Sequence, residues 1–584
     1  MMRSTTSTAV LPAAMALVVL AGCTGGGDEP AGDAAGSATG SASDAATVVT
    51  SAPEATRTLV PDADPAAAAV SASRAVFRSS PVAVVVAPDD ASGQLLGAVA
   101  AVGLGVPLLV GDPDVVGPEL DRLGVQSVLA VGAADPAGLL PPDEDAEVVA
   151  VPADAGAVAQ VTGLDLGPGQ PVATADRAAA VAGLAADTLP ALSAQAEPEP
   201  SSSSSASPSA TTSSPASPSA SSSASPSATA DPGELPEVRR GEALTDVVVL
   251  ASGAPDSLAG IATARAAGAD VLLTGAVNDP RGSAEVVDRL AADPSVVVLG
   301  ADLAGAPGID WKLDTAASGP QLPGGGQLLF PEHMLVALYG IPGSGSLGLL
   351  GEQDLPASIQ RAQQYADEYR PLVDTTVVPT FEIIATVASS SAGADGDYSA
   401  EQDVETLRPW VEGAGAAGMY VVLDLQPGRS DFLSQAKQYQ PLLELPYVGL
   451  ALDPEWRLEP GGLPLQKIGQ VGIDEVNQVV TWLADLTRDN ALPQKLLVLH
   501  QFQVRMVIDR ERLDVSRDEL AFMVHVDGQG GQPAKQGTWQ VLHKDAQEQL
   551  TWGWKNFIDE DLPMLTPEQT VEQVLPTPEL VTYQ

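Results

Sequence analysis

Cysteine is nearly absent: Cys23 is the sole one in 584 residues. A single thiol excludes an intramolecular disulfide framework and a Cys-based zinc cluster. Histidine is scarce as well, with four residues, which argues against a His-rich metal site. Basic side chains are heavily outnumbered, 28 Lys and Arg against 75 Asp and Glu, for a net charge of −47. That balance excludes nucleic acid as a partner, because a phosphate backbone needs clustered Lys and Arg. It also excludes docking on anionic lipid through a basic patch. The first 310 residues contain no Trp, Lys, His or Tyr; the series starts with Trp311, Lys312, His333 and Tyr339. What is abundant is apolar: 45% of residues are hydrophobic and only 18% charged. The length leaves room for about three or four domains of ~150 residues, and the chain reads as two compositionally different halves joined near residue 315.

The N-terminus has the layout of an export signal. Arg3 supplies a short positive region, and an apolar stretch from Ala9 to Leu20 follows, interrupted by Pro12. It falls short of the ~20 residues a membrane span needs but suits a signal-peptide core. It ends in Leu20-Ala21-Gly22-Cys23, which resembles the lipobox of bacterial lipoproteins. The resemblance implies removal of residues 1–22 and lipidation of Cys23. The protein would then be anchored, without a transmembrane helix, on the extracytoplasmic face of the cytoplasmic membrane. Residues 23–70 are dominated by Gly, Ala, Ser, Thr and Asp and read as a disordered tether.

Two stretches that follow share a pattern of strand, small-residue helix, strand, amphipathic helix, strand. One runs from Pro81 and the other from Thr245. Their strands are unbroken apolar runs: Val82–Val86, Pro107–Val110 and Ser127–Val131, then Val247–Leu250, Val271–Thr274 and Ser295–Leu299. Strands apolar at every position are buried on both faces, as in a parallel sheet covered by helices. Residues 71–196 and 234–315 are therefore expected to form doubly wound α/β repeats. Between them, residues 197–233 are a Ser/Pro-rich insertion with nothing to bury, resembling an O-glycosylatable stalk. The segments Gly105–Val110, Glu119–Gly124 and Val128–Gly132, with their counterparts Gly268–Thr274, Val287–Leu290 and Val296–Gly300, resemble the cell wall-binding repeat 2 family. That family's modules attach secreted proteins to the envelope, so the resemblance implies cell-wall polysaccharide as a partner.

Residues 320–584 read as a (β/α)8 TIM-like barrel. Candidate strands are Met334–Tyr339, Val377–Ile384, Met419–Leu423, Tyr447–Leu452, Leu496–Leu499, Leu520–Val526 and Trp539–Leu542, with an eighth around Thr551–Phe557. Amphipathic helices lie between them, and Asp474 and Thr566 read as N-caps, with Pro567 at the first helical position. Seven or eight such units in roughly 255 residues is the length of a barrel, whose chemistry sits where the strands end.

The strand ends carry acids and aromatics: Glu382, Asp424, Asp453-Pro454-Glu455-Trp456, His500, His525-Val526-Asp527 and Trp552-Gly553-Trp554. This succession resembles glycoside hydrolase barrels, and the Asp453-x-Glu455 element resembles the D-x-E of lysozyme-like muramidases. Glycosidic cleavage uses two carboxyl groups, one kept neutral as acid and the other ionised as nucleophile or base. The catalytic candidates are Glu455 as the acid, with Asp453, Asp424 or Glu382 as its partner. Residues at i and i+2 of an extended segment point the same way, although Pro454 is placed to turn the chain between Asp453 and Glu455. Trp456, Trp552, Trp554, His500 and Asp527 are the candidate sugar-binding residues, with sealing of the barrel end as the other reading of the Trp552/Trp554 pair. His500 and His525 read as hydrogen-bonded rim or core residues rather than metal ligands. No Ser-His-Asp arrangement, phosphate loop or HExxH occurs, so neither metal nor cofactor is expected. Asp559-Glu560-Asp561 reads as a solvated turn. Two functions stay open: a barrel that binds or hydrolyses cell-wall or exported polysaccharide, and a non-catalytic wall-binding scaffold.

Overall fold

The computed structural model describes residues 46–140, 147–195, 235–275 and 277–584. The signal segment 1–22, the lipidation candidate Cys23 and the Ser/Pro-rich stretch 197–233 lie outside the described residues. No described helix is long and apolar enough to cross a membrane.

Two four-stranded parallel sheets precede the barrel. In the first the order is Leu108–Val110, Val82–Val86, Ser127–Val131, Glu147–Val151; in the second it is Asp270–Leu273, Val247–Ala251, Ser295–Leu299, Arg57–Val60. In both, the strand that begins the unit lies between the second and the third. Val82–Val86 and Val247–Ala251 are buried at every position, as unbroken apolar runs require. The small-residue helices Ala91–Leu104 and Leu258–Ala266 pack on each other. A Cβ on Gly97 would fall 2.5 Å from Val86 Cγ1, so the helix approaches the sheet that closely only with glycine there. Thr263 Oγ1 lies 3.1 Å from both the N–H and the carbonyl of Leu108 and ties the second unit to the first.

The expected tether is shorter than its composition suggests. Arg57–Val60 pairs in parallel with Val296–Leu299, and Pro65–Val76 is a helix capped by Asp64, whose Oδ1 accepts from the N–H groups of Ala66 and Ala67. The segment is poor in large apolar side chains, with only Leu59, Val60, Val70 and Val76. Alanine, however, is the best helix former, and Ala68, Ala69 and Ala72 are buried against the equally small-sided helix Leu258–Ala266.

The barrel strands are β1 (His333–Gly340), β2 (Thr376–Ala388), β3 (Tyr420–Leu425), β4 (Val448–Leu452), β5 (Lys495–Gln501), β6 (Leu520–Val526), β7 (Leu550–Asn556) and β8 (Leu580–Tyr583). Each pairs in parallel with the next, and β8 pairs with β1, closing an eight-stranded barrel. Two expectations fail here. Trp539–Leu542 is not a strand but lies in the helix Gln532–His543. Lys535, Trp539 and Leu542 are its buried residues and recur at the four- and three-residue spacing of a helix face. The seventh strand is the one expected as eighth, and the true eighth is the short Leu580–Tyr583. At the helix starts, Thr566 forms a capping box with Gln569. Asp474 lies inside the first turn of Ile473–Asp489, whose N-cap is Gly472; an acid there still favours the helix dipole.

The N-terminal mouth of the barrel is shut. Leu322 and Leu329, on the segment entering β1, pack into one cluster with Leu335, Val378, Tyr420, Leu496, Ala521 and Leu580. The compositional break near residue 315 is where the halves join. Trp311 lies between the guanidinium groups of Arg281 and Arg488, 4.5 and 4.7 Å from its ring. Lys312 Nζ reaches Asp518 Oδ2 at 2.6 Å. The first Trp and the first Lys of the chain are thus contacts to the barrel.

Candidate functional site

Side chains alternate between the inside and the outside of a barrel strand. Along seven of the eight strands the inner positions start apolar, as in Leu335-x-Ala337, Tyr420-x-Val422 and Leu496-x-Val498, while β7 starts with Thr551 and Gly553. The same parity then carries polar residues at the C-terminal end: Tyr339, Glu382, Asp424, Asp453, His500, His525, Asp527, Lys555 and Thr582. Eight strands thus bring inward polar residues together above a closed apolar floor.

Glu382 and His500 form the centre. His500 Nε2 lies 2.8 Å from Glu382 Oε1 and 3.8 Å from Asp424 Oδ1, and its Nδ1 lies 3.0 Å from Asp527 Oδ2. Thr582 donates to Glu382 Oε2 at 2.9 Å, and Tyr339 donates to Asp424 Oδ2 at 2.7 Å. The His525 ring sits 4.8 Å from that of His500, with Nδ1 3.6 Å from Glu382 Oε1. Lys555 Nζ lies 3.5 Å over the Tyr339 ring. Four buried carboxyl groups, Glu382, Asp424, Asp453 and Asp527, therefore share one neighbourhood with one lysine. The reading of His525 as a hydrogen-bonded residue is not met: neither ring nitrogen makes a hydrogen bond. Glu382 Oε1 and His500 Nε2, though close, are not aligned as a hydrogen bond, and both stay unsatisfied. One atom from each of Glu382, His500 and His525 falls within 4.8 Å of the others.

The cluster splits the acids into two kinds. Burial alone would raise Glu382, but the His525 and His500 rings beside it outweigh burial and hold it well below the carboxylate range. Burial lowers His500, yet Glu382 and Asp424 raise it well above an ordinary imidazole. Burial, reinforced by the charge of Glu382, pushes Asp424 up to about 6 against the pull of His500. Asp453 is raised well above the usual range by burial and then by Asp424. Glu455 is pushed up to about 7, first by burial and then by the charge of Asp527.

Above this layer lies a cavity of about 590 Å³. Asp453, Glu455, Trp456, Asp527, Phe502 and Lys555 are among its lining residues. Asp453 and Glu455 share it although Pro454–Trp456 is a 3-10 turn and not an extended segment. Asp453 Oδ1 caps that turn by accepting from the Glu455 N–H at 3.1 Å, so the two carboxyls reach the cavity by a turn. Glu382, Asp424 and His500 are fully buried and lie beneath its floor. Trp552 and Trp554 do not belong to the site. They point outward against Trp539, with ring centroids 6.0 and 5.6 Å away, and Trp552 stacks on His543 at 3.5 Å. Their parity is opposite to that of Lys555, which places them on the helix-facing side. Sequence reasoning gave His525 only a rim or core role and gave Tyr339, Lys555 and Thr582 none. The first three stand at strand ends already read as such; Thr582 was hidden with its strand.

No family model matches the chain, and no curated protein or solved structure is similar enough to it to count as a match.

Proposed function

We propose that the protein is a lipid-anchored envelope protein whose barrel takes cell-wall or exported polysaccharide into the cavity at its C-terminal mouth and cleaves it there, with Glu455 as general acid. The observation that carries this reading is a half-buried carboxyl raised to about 7 in a cavity that also holds Asp527 and the Trp456 ring. A carboxyl protonated near neutral pH can give its proton to a leaving oxygen. Asp527 is the partner that position favours over Asp453, Asp424 and Glu382: it lines the cavity with Glu455 and is fixed through Oδ2 by His500. Asp453 is raised like Glu455 itself, and the other two lie under the floor. Trp456 and Phe502 offer faces on which sugar rings stack. Full-length protein incubated with purified wall polysaccharide should release reducing ends, with a rate that falls as pH rises through about 7, because the acid must be protonated. Polysaccharide binding without release at any pH would instead support the non-catalytic scaffold, a reading favoured by the burial of Glu382 and Asp424 away from the cavity.

The membrane assignment rests on Leu20-Ala21-Gly22-Cys23. Cys23→Ser should abolish acylation and move the protein from the membrane to the soluble fraction. Mass spectrometry of the mature N-terminus reads this directly; an unmodified Cys23 in the wild-type protein would remove the anchor from the proposal.

A further inference from the structure

We propose that Glu382, His500 and His525 bind a divalent first-row metal ion, of the kind that zinc represents, beneath the cavity floor. The donor set is two imidazoles and one carboxylate, the combination found in catalytic zinc sites and in the facial triads of other first-row ions. Its nitrogens disfavour Ca²⁺ and Mg²⁺, which seek oxygen ligands.

Two of the three ligands are tethered at one atom and unsatisfied at the other. Glu382 receives Thr582 on Oε2, which leaves Oε1 unpartnered. His500 is held at Nδ1 by Asp527. With an ion bound, a proton on Nδ1 would satisfy that carboxylate and free the Nε2 lone pair for the metal. A metal-bound histidine is oriented in the same way by a carboxylate on its far nitrogen. His525 has no hydrogen bond at either nitrogen although it is fully buried. Its ring is seated over Gly553, the residue opposite it on β7, where a Cβ would fall 2.6 Å from His525 Cδ2.

The spacing suits an ion. Bonds of ~2.0–2.1 Å at tetrahedral angles set ligand atoms roughly 3.3 Å apart. Here Glu382 Oε1 is 2.8 Å from His500 Nε2 and 3.6 Å from His525 Nδ1. Asp424 Oδ1, also unpartnered and 3.8 Å from His500 Nε2, is the nearest further donor.

The proposal stands whether or not the barrel cleaves polysaccharide, and its test reads metal and not turnover. Full-length protein is stripped with a chelator, reloaded with ZnCl₂, desalted and assayed by mass spectrometry for metal content. The wild-type protein should hold about one tightly bound ion per chain. His525→Ala and Glu382→Gln should each cut the loading at least ~10-fold, and Asp527→Asn should weaken affinity ~10–100-fold, as loss of an outer partner does. Asp397→Asn, in the separate Asp395/Asp397/Glu401 cluster, should leave loading unchanged. Co²⁺ added to the stripped wild-type protein should give the visible spectrum of a nitrogen-ligated, low-coordinate ion, which keeps the test valid if a variant fails to fold. A wild-type protein that holds under a tenth of an ion, a double variant Glu382→Gln/His525→Ala that still loads, or a Co²⁺ spectrum of six oxygen ligands would each overturn the assignment.

Discussion

Glu455→Gln is expected to lower kcat on the polysaccharide by roughly 10²–10⁴-fold, the usual contribution of a positioned general acid, while KM stays close to that of the wild type. The amide keeps the shape of the side chain in the cavity and removes only the transferable proton. A change confined to the transition state lowers kcat and kcat/KM together. The pH profile makes the assignment sharper. Glu455 is raised to about 7 by burial and by Asp527, so the wild-type rate should be high below that value and fall above it as the acid ionises. The Gln variant has no such group, and its residual rate should lose that alkaline limb. A variant with wild-type kcat would remove Glu455 from the role. A variant with reduced kcat but an unchanged limb would show that another group supplies the proton, and Asp453, also raised and in the same cavity, would be the next candidate.

The barrel was legible from sequence where apolar runs are long and end in polar residues. Val377–Ile384 and Leu520–Val526 each mark a strand, and the acid or histidine on the inward parity marks its functional end. Leu580–Tyr583 escaped because four residues with a Thr among them, set behind Pro576 and Pro578, offer no run to detect. Trp539–Leu542 misled because a few apolar residues fit both periods, and only Lys535 one turn earlier decides for the helix. Residues 57–70 misled for a different reason. A composition argument weighs large apolar side chains, whereas this segment packs mainly through alanines, with a few valines, and a strand added to an existing sheet. In the site, the acids on β2, β3 and β4 were legible one by one, but their grouping was not. Whether His500 meets Glu382 or His525 meets Gly553 depends on register across strands far apart in sequence. Trp552 and Trp554 stand just before Lys555, and the choice between cavity and helix-facing side follows from parity that only the register reveals.

Parity does not help in loops, and Asp561 illustrates this with the largest stability effect expected of a single substitution here. Placed in an Asp-Glu-Asp turn, it reads as solvated; in the fold it is buried and paired with the buried Lys535 at 2.7 Å. Lys535 also donates to the carbonyls of Gly528 and Lys555, at 2.8 and 2.7 Å. Asp561 accepts from the N–H groups of Gly530 and Phe557, at 2.8 and 3.0 Å. The pair thus braces the segments that follow β6 and β7, which carry Asp527 and Lys555 to the cavity. Asp561→Ala leaves an ammonium buried without its counter-charge and two backbone donors without acceptors. Breaking a buried pair from one side costs about 3–5 kcal/mol, and urea unfolding followed by the barrel tryptophans should read a loss of that size. The double variant Lys535→Met/Asp561→Ala should lose less than Asp561→Ala alone, because the uncompensated charge goes with the lysine. A single variant within about 1 kcal/mol of wild type, the range of exposed pairs, would mean that the pair contributes no more than a surface contact. A double variant no better than the single would place the cost in the two orphaned N–H groups, at about 1–3 kcal/mol each, and not in the buried charge.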